Sequence, residues 1–175
     1  MALAAGKSPG AGTWKMAWDG EQELESAAGP VAHAAAAACR SDPPCILVAD
    51  DDDDLREMIA LALRAAGYEV VEARTGLQLA ACVRRKVVEC AASPEVQLIV
   101  SDIQMPGCSG LDVLSVMRDV GVRVPVVFIT GYGNEAVRAE ARRLGVQAVL
   151  EKPFELDDLG AAVRALVPPA AGRNP

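Results

Sequence analysis

Three aspartates, a threonine and a lysine stand where short apolar runs end. Asp50 and Asp51 follow Cys45-Ile46-Leu47-Val48-Ala49, Asp102 follows Leu98-Ile99-Val100-Ser101, Thr130 follows Val126-Val127-Phe128-Ile129, and Lys152 comes just after Val149-Leu150. Clustered carboxylates repel one another and need a cation. Hard oxygen donors with little His or Cys nearby suit Mg²⁺, which takes one or two carboxylates and keeps waters for phosphate oxygens. A carboxylate beside such an ion can attack a phosphoryl donor and become an aspartyl phosphate. Asp102 is the candidate nucleophile, and the backbone carbonyl of Gln104 a candidate further metal ligand. The Thr130 hydroxyl can donate to a phosphoryl oxygen, and the Lys152 ammonium offers a point charge to carboxylate or phosphate.

This chemistry requires the five side chains to meet, so the elements must bring them together. The run Leu98-Ile99-Val100 predicts a buried parallel strand, and Met105-Pro106-Gly107 with Ser109-Gly110 supply a turn before a helix at Leu111. Strands are also expected at Cys45–Ala49, Glu69–Ala73, Val124–Ile129 and Val146–Leu150. Between them, Leu55, Met58, Ile59, Ala62, Leu63 and Ala66 recur at helical spacing up to Gly67. Further helices are expected over Leu77–Glu89, from Leu111 through Leu114 to Met117 or Val120, over Asn134–Leu144, and from Leu156 through Leu159 and Val163 to Leu166. Pro168-Pro169 stops the last one. Asp53 or Asp54 is expected to cap the first helix. Five alternations predict an α/β fold, a five-stranded parallel sheet in the flavodoxin-like order 2-1-3-4-5 with helices on both faces. In that order the first and third strands are neighbours, and the carboxylates converge at the switch point.

With 175 residues, the chain suits one domain and a modest extension. The expected division is an Ala/Gly/Pro-rich extension over 1–44, the folded domain over 45–167 and a short tail over 168–175. Trp14 and Trp18 in the extension are read as exposed aromatics, and His33 as no phosphohistidine. A net charge of −7 gives no electrostatic case for nucleic-acid binding. No apolar run reaches the roughly 18 residues of a membrane span, and five cysteines without metal-ligand spacing fit reduced thiols in a cytoplasmic protein. Cys108 is read as a small filler rather than a redox thiol.

The string S-D-I-Q-M-P-G-C-S-G-L-D resembles the phosphoacceptor loop of the response-regulator receiver family, with Asp102 as acceptor. I-L-V-A-D-D-D resembles that family's acidic-pair strand, V-F-I-T-G-Y-G its switch-threonine strand, and L-E-K-P-F its lysine turn. The resemblance covers Cys45 to about Val167. It implies Asp50 and Asp51 as the Mg²⁺ pair with Asp51 the more direct ligand, and a cis bond before Pro153. It also implies a sensor histidine kinase or histidine phosphotransfer protein as phosphodonor and a downstream protein target, and leaves a phosphorylation-dependent homodimer open. With eight residues after Val167, a receiver without its own DNA-binding output is expected. Two features depart from the family. Asp53 stands where many members have Pro, and Val149 occupies the place of a common aromatic switch residue. Any switching movement is therefore expected in the backbone over Thr130–Asn134. Two alternatives remain: a receiver-fold module that ignores phosphate, and an aspartate-nucleophile phosphatase. The latter family places a second Asp where this chain has Gln104.

Overall fold

A computed structural model of the chain describes residues 43–85, 95–131 and 135–170. Five strands alternate with five helices: β1 (Cys45–Ala49), α1 (Asp53–Ala65), β2 (Glu69–Ala73), α2 (Gly76–Val83), β3 (Val96–Asp102), α3 (Gly110–Asp119), β4 (Val126–Thr130), α4 (Glu135–Arg143), β5 (Ala148–Glu151) and α5 (Leu156–Leu166). The strands form one parallel sheet in the order β2-β1-β3-β4-β5, as the alternation predicts.

Side-chain alternation along the strands splits the core into two layers. Cys45, Leu47 and Ala49 of β1 pack with Leu79, Val83, Val113, Leu114, Met117 and Ala141 from α2, α3 and α4. Ile46 and Val48 face the other way, against Ile59, Ala60 and Leu63 of α1 and Leu159 and Val163 of α5. A bulge lies near the start of β3, where Cys45 pairs with Val96 but Ile46 with Leu98. It puts Val96 and Leu98, two apart, on opposite faces.

Several boundaries move from expectation for local reasons. β4 starts at Val126 because Pro125 has no N–H to give, although its carbonyl accepts from Ile99 at 3.0 Å. β5 starts at Ala148 because the Val146 N–H closes the exit turn of α4 on Ala141 at 3.1 Å. Gly67 (φ 91°) and Gly145 (φ 71°) end α1 and α4 in the left-handed region. The cap of α1 is Asp52, not Asp53 or Asp54: its carboxylate accepts from the N–H groups of Asp54 and Leu55, both at 3.1 Å. The buried face of α1 is also displaced. Arg56, Ile59, Ala60 and Leu63 are inside, while Met58 is 45% exposed and Ala66 also faces solvent. At the end of α3, Val120 is 46% exposed and Met117 takes the core position.

The 1–42 part of the extension, including Trp14, Trp18 and His33, lies outside the described residues. So do the expected end of the α2 helix over 86–89, its connection through 94, and Tyr132–Asn134 in the expected switching segment.

Candidate functional site

The C-terminal ends of β1, β3, β4 and β5 share one edge of the sheet, and the four strands deliver their polar residues there. Asp50 follows β1 and is 1% exposed; Asp102 ends β3 at 6%. A carboxylate oxygen from each of Asp50, Asp51 and Asp102 lies within 4.8 Å of the others. Thr130, 1% exposed, ends β4 one residue beyond Ile129, the register partner of Asp102. Lys152 follows β5, and its N–H donates to the Thr130 carbonyl at 2.8 Å. The Lys152–Pro153 bond is cis. Val149, half-buried, packs at the margin of the α2–α4 layer.

Lys152 bridges Asp50 and Asp102. Its ammonium donates to Asp102 Oδ2 at 2.6 Å and to Asp50 Oδ2 at 2.9 Å. Burial disfavours its charge, yet these two carboxylates outweigh burial and keep the ammonium above the ordinary lysine range. Burial is the largest influence on Asp50 and pushes its carboxyl upward, against the hydrogen bonds from Lys152 and from the Asp52 N–H at 2.9 Å. Three carboxylates against one ammonium leave two unbalanced negative charges in a small volume. An all-oxygen donor set with that excess fits a hard divalent cation such as Mg²⁺.

The loop after Asp102 is tied down at each step. The Gln104 N–H donates to Asp102 Oδ1 at 2.8 Å, so both oxygens of this carboxylate are oriented. Ile103 N–H donates to the Ile129 carbonyl at 3.1 Å, and Gly110 N–H to the Ile103 carbonyl at 2.9 Å. Met105 and Cys108 are buried and anchor the turn. Ser109 caps α3 in a reciprocal pair with Asp112. Burial, then the nearby Asp112, pushes the Cys108 thiol up to about 11. A buried thiol in that range is a packing residue, as expected.

Two participants escaped the sequence reading. Ser101, fully buried, donates its hydroxyl to the Asp102 carbonyl at 2.8 Å. Arg56, 2% exposed, donates from Nη1 to the Asp50 carbonyl at 2.9 Å and pairs with the Asp53 carboxylate. The signal for Arg56 was available: it shares the i, i+3, i+4, i+7 stripe with Ile59, Ala60 and Leu63.

Comparison with known proteins converges on one family. Residues 46–164 match the response regulator receiver domain. The transcriptional regulatory protein FixJ of Azorhizobium caulinodans is 34% identical over 111 residues, covering 63% of this chain and 49% of that protein. Sporulation initiation phosphotransferase F of Bacillus subtilis is 27% identical over 114 residues, covering 65% of this chain and 86% of that protein. The chain thus spans about half the length of FixJ, and its match covers 22% of the regulator DctD of Pseudomonas aeruginosa. A receiver domain crystal structure from Clostridium thermocellum superposes with a TM-score of 0.61 at 26% identity, covering 71% of this chain and 94% of that one. The family match over residues 46–164 spans nearly all of the parallel sheet in 2-1-3-4-5 order, and the chain belongs to the response regulator receiver domain family.

Proposed function

We propose that Asp102 is the phosphoacceptor of a two-component signalling domain spanning residues 45–167, set between an extension over 1–44 and a tail over 168–175. Receiver domains are phosphoacceptor signalling domains rather than conventional enzymes, and they take phosphate from histidine kinases or phosphotransfer proteins. The observation that carries the assignment is the carboxylate of Asp102, held by the Gln104 N–H on one oxygen and Lys152 on the other beside Asp50 and Asp51. In the transfer, an Asp102 oxygen bonds to phosphorus while the donor's P–N bond (or the P–O bond of acetyl phosphate) breaks. The electron pair leaves with the imidazole or acetate.

Receiver domains bind Mg²⁺ at an acidic pocket. Here Asp51, Asp50, Asp102 and the Gln104 carbonyl would hold it, and when bound it supplies charge neutralisation for the incoming phosphoryl oxygens. Lys152 balances the charge on the acceptor and follows it onto the phosphoryl group; Thr130 donates its hydroxyl to a phosphoryl oxygen. The output is a phosphorylation-dependent protein contact or onward phosphotransfer in a cytoplasmic setting. Similarity to phosphotransferase F over most of that protein's length supports the relay form.

Intact mass after incubation with acetyl phosphate tests this reading. One phosphoryl group should add only with Mg²⁺ present, and Asp102→Asn should abolish the gain. Labelling of Asp102→Asn at the wild-type rate would sink the assignment.

A further inference from the structure

Arg56 is a buried cation at the heart of the β1–α1 connection, and its contacts lead to the acidic pocket. Nη1 donates to the Asp50 carbonyl at 2.9 Å, and Nη2 pairs with the Asp53 carboxylate. Nε makes no hydrogen bond but lies 3.4 Å from Glu72 Oε2 on β2. Burial opposes the charge of Arg56, and Asp53 and Glu72 more than offset it, so the guanidinium stays charged. Both partners have second cations: Arg74 lies 3.3 Å from Asp53, and Arg64 lies 2.8 Å from Glu72. Arg56 is thus the centre of an alternating ion row running from the acidic loop to β2.

The Asp50 carbonyl belongs to the peptide that joins Asp50 to Asp51. The peptide on the other side of Asp50 is fixed too, because the Asp50 N–H donates to the Ala73 carbonyl at 3.2 Å. Residues 52–55 are fixed by the cap. Asp51 is exposed and lies between these restraints: Arg56 holds the peptide before it, and the Asp52 N–H, bonded to Asp50 Oδ1 at 2.9 Å, holds the peptide after it. We propose that Arg56 is a positioning residue for the metal-binding carboxylates. By holding the Asp50 carbonyl and the Asp53 carboxylate, it sets the direction of the Asp50–Asp51 peptide and thereby the affinity of the acidic pocket for a divalent cation. This rests on the reading of Asp50 and Asp51 as ligands. Asp53, which stands where many receiver domains have Pro, acquires a role as the second arm of the clamp.

Coulomb's law and positioning predict opposite signs here. A cation near the pocket repels Mg²⁺, so deleting Arg56 should tighten binding if charge alone matters. Loss of an outer-shell partner typically weakens metal affinity by roughly 10- to 100-fold. The experiment is calorimetric titration of the full chain with MgCl₂, at a temperature where circular dichroism shows every variant folded. Arg56→Met should weaken Mg²⁺ binding about tenfold. Arg56→Lys should weaken it less, since an ammonium retains the charge but lacks the fork that reaches both acceptors. Asp53→Asn should lose more affinity than Asp54→Asn, which removes an equal charge without touching Arg56. Unchanged or tighter binding by Arg56→Met overturns the proposal; if that variant does not fold, unchanged affinity in Arg56→Lys does. Equal losses for Asp53→Asn and Asp54→Asn overturn the Asp53 arm. Asp51→Asn serves as the separate control: wild-type Mg²⁺ binding there would break the underlying site assignment whatever Arg56 does.

Discussion

The two edges of the sheet handle charge in opposite ways. At the C-terminal edge, Asp50, Asp51 and Asp102 crowd together while one ammonium pairs with Asp50 and Asp102, and the group keeps an excess of negative charge. Near the opposite edge, the Arg118 guanidinium at the end of α3 is consumed by neutral backbone. Its Nε donates to the Leu144 carbonyl at 3.0 Å, and Nη1 to the carbonyls of Val122 and Val124 at 2.8 and 3.2 Å. Those carbonyls belong to the exits of α3 and α4, where the chain has no helical donors left. One cation therefore ties two helix ends to the sheet. The contrast separates two uses of a partly buried charge: Arg118 completes backbone hydrogen bonding and supports stability, whereas the acidic edge retains a charge imbalance that a ligand can relieve.

Substitutions should sort by edge. The largest effect is expected at Gly110, beneath the site, where an added Cβ would lie 2.5 Å from the Asp102 carbonyl oxygen and 2.9 Å from the Phe128 ring. Neither strand backbone nor a fully buried ring can withdraw. Gly110→Ala should cost about 3 kcal/mol and disturb the acceptor loop as well, so urea midpoint and phosphorylation rate should fall together. Arg118→Ala should cost about 2 kcal/mol by stranding three carbonyls. Its acetyl phosphate labelling, measured well below the melting temperature, should match wild type. A labelling defect in folded Arg118→Ala would erase the proposed division between the edges.

The acidic edge should show the reverse pattern. Asp51→Asn should leave the Mg²⁺-free protein as stable as wild type or about 0.5 kcal/mol more so, because one member of a like-charge group is neutralised. Mg²⁺ at about 100 times its dissociation constant should stabilise the wild type by about 2.7 kcal/mol through mass action, and Asp51→Asn should lose that increment. Thermal melts with and without MgCl₂ decide it. A wild-type melting temperature indifferent to Mg²⁺ would count against a metal site.

Legibility in the sequence followed the same physics. Buried parallel strands are apolar runs, and their polar successors Asp102, Thr130 and Lys152 mark the ends, so strand order and the shared edge could be read from one chain. The first helix could not be phased as well. Five consecutive aspartates all make competent caps, and choosing among them depends on which face of α1 meets the sheet. That face includes Arg56, which shares the helical stripe with Ile59, Ala60 and Leu63. Its charge is met by Asp53 and by Glu72 on β2, a partner that the spacing of α1 does not reveal. Apolar periodicity alone selected Met58 and Ala66 instead. Likewise, nothing local in L-E-K-P-F says that Lys152 bridges Asp50 as well as Asp102; that contact spans 102 positions.

The smallest expected effect concerns protons at the acidic edge. Burial, only partly opposed by Lys152 and the Asp52 N–H, raises the Asp50 carboxyl above its usual range. A carboxyl with a raised native value binds more protons in the folded state than in the unfolded one. Its contribution to stability therefore falls as pH rises from about 3.9, the unfolded value, through the native value, and is constant above it. Asp53 acts in the opposite sense. Its hydrogen bond to Arg56 lowers it, so its contribution is present above the unfolded value and is lost as pH falls through the depressed native one. The two are separable because Asp50→Asn removes only the first. In Mg²⁺-free buffer, the stability of Asp50→Asn relative to wild type should rise with pH above about 4 and then level off. Urea unfolding of both proteins across mildly acid to neutral pH measures that difference directly. A difference that stays flat would show that Lys152 fully offsets burial at Asp50, and one that falls as pH rises that it outweighs burial. The acidic edge would then be as well compensated as the Arg118 edge.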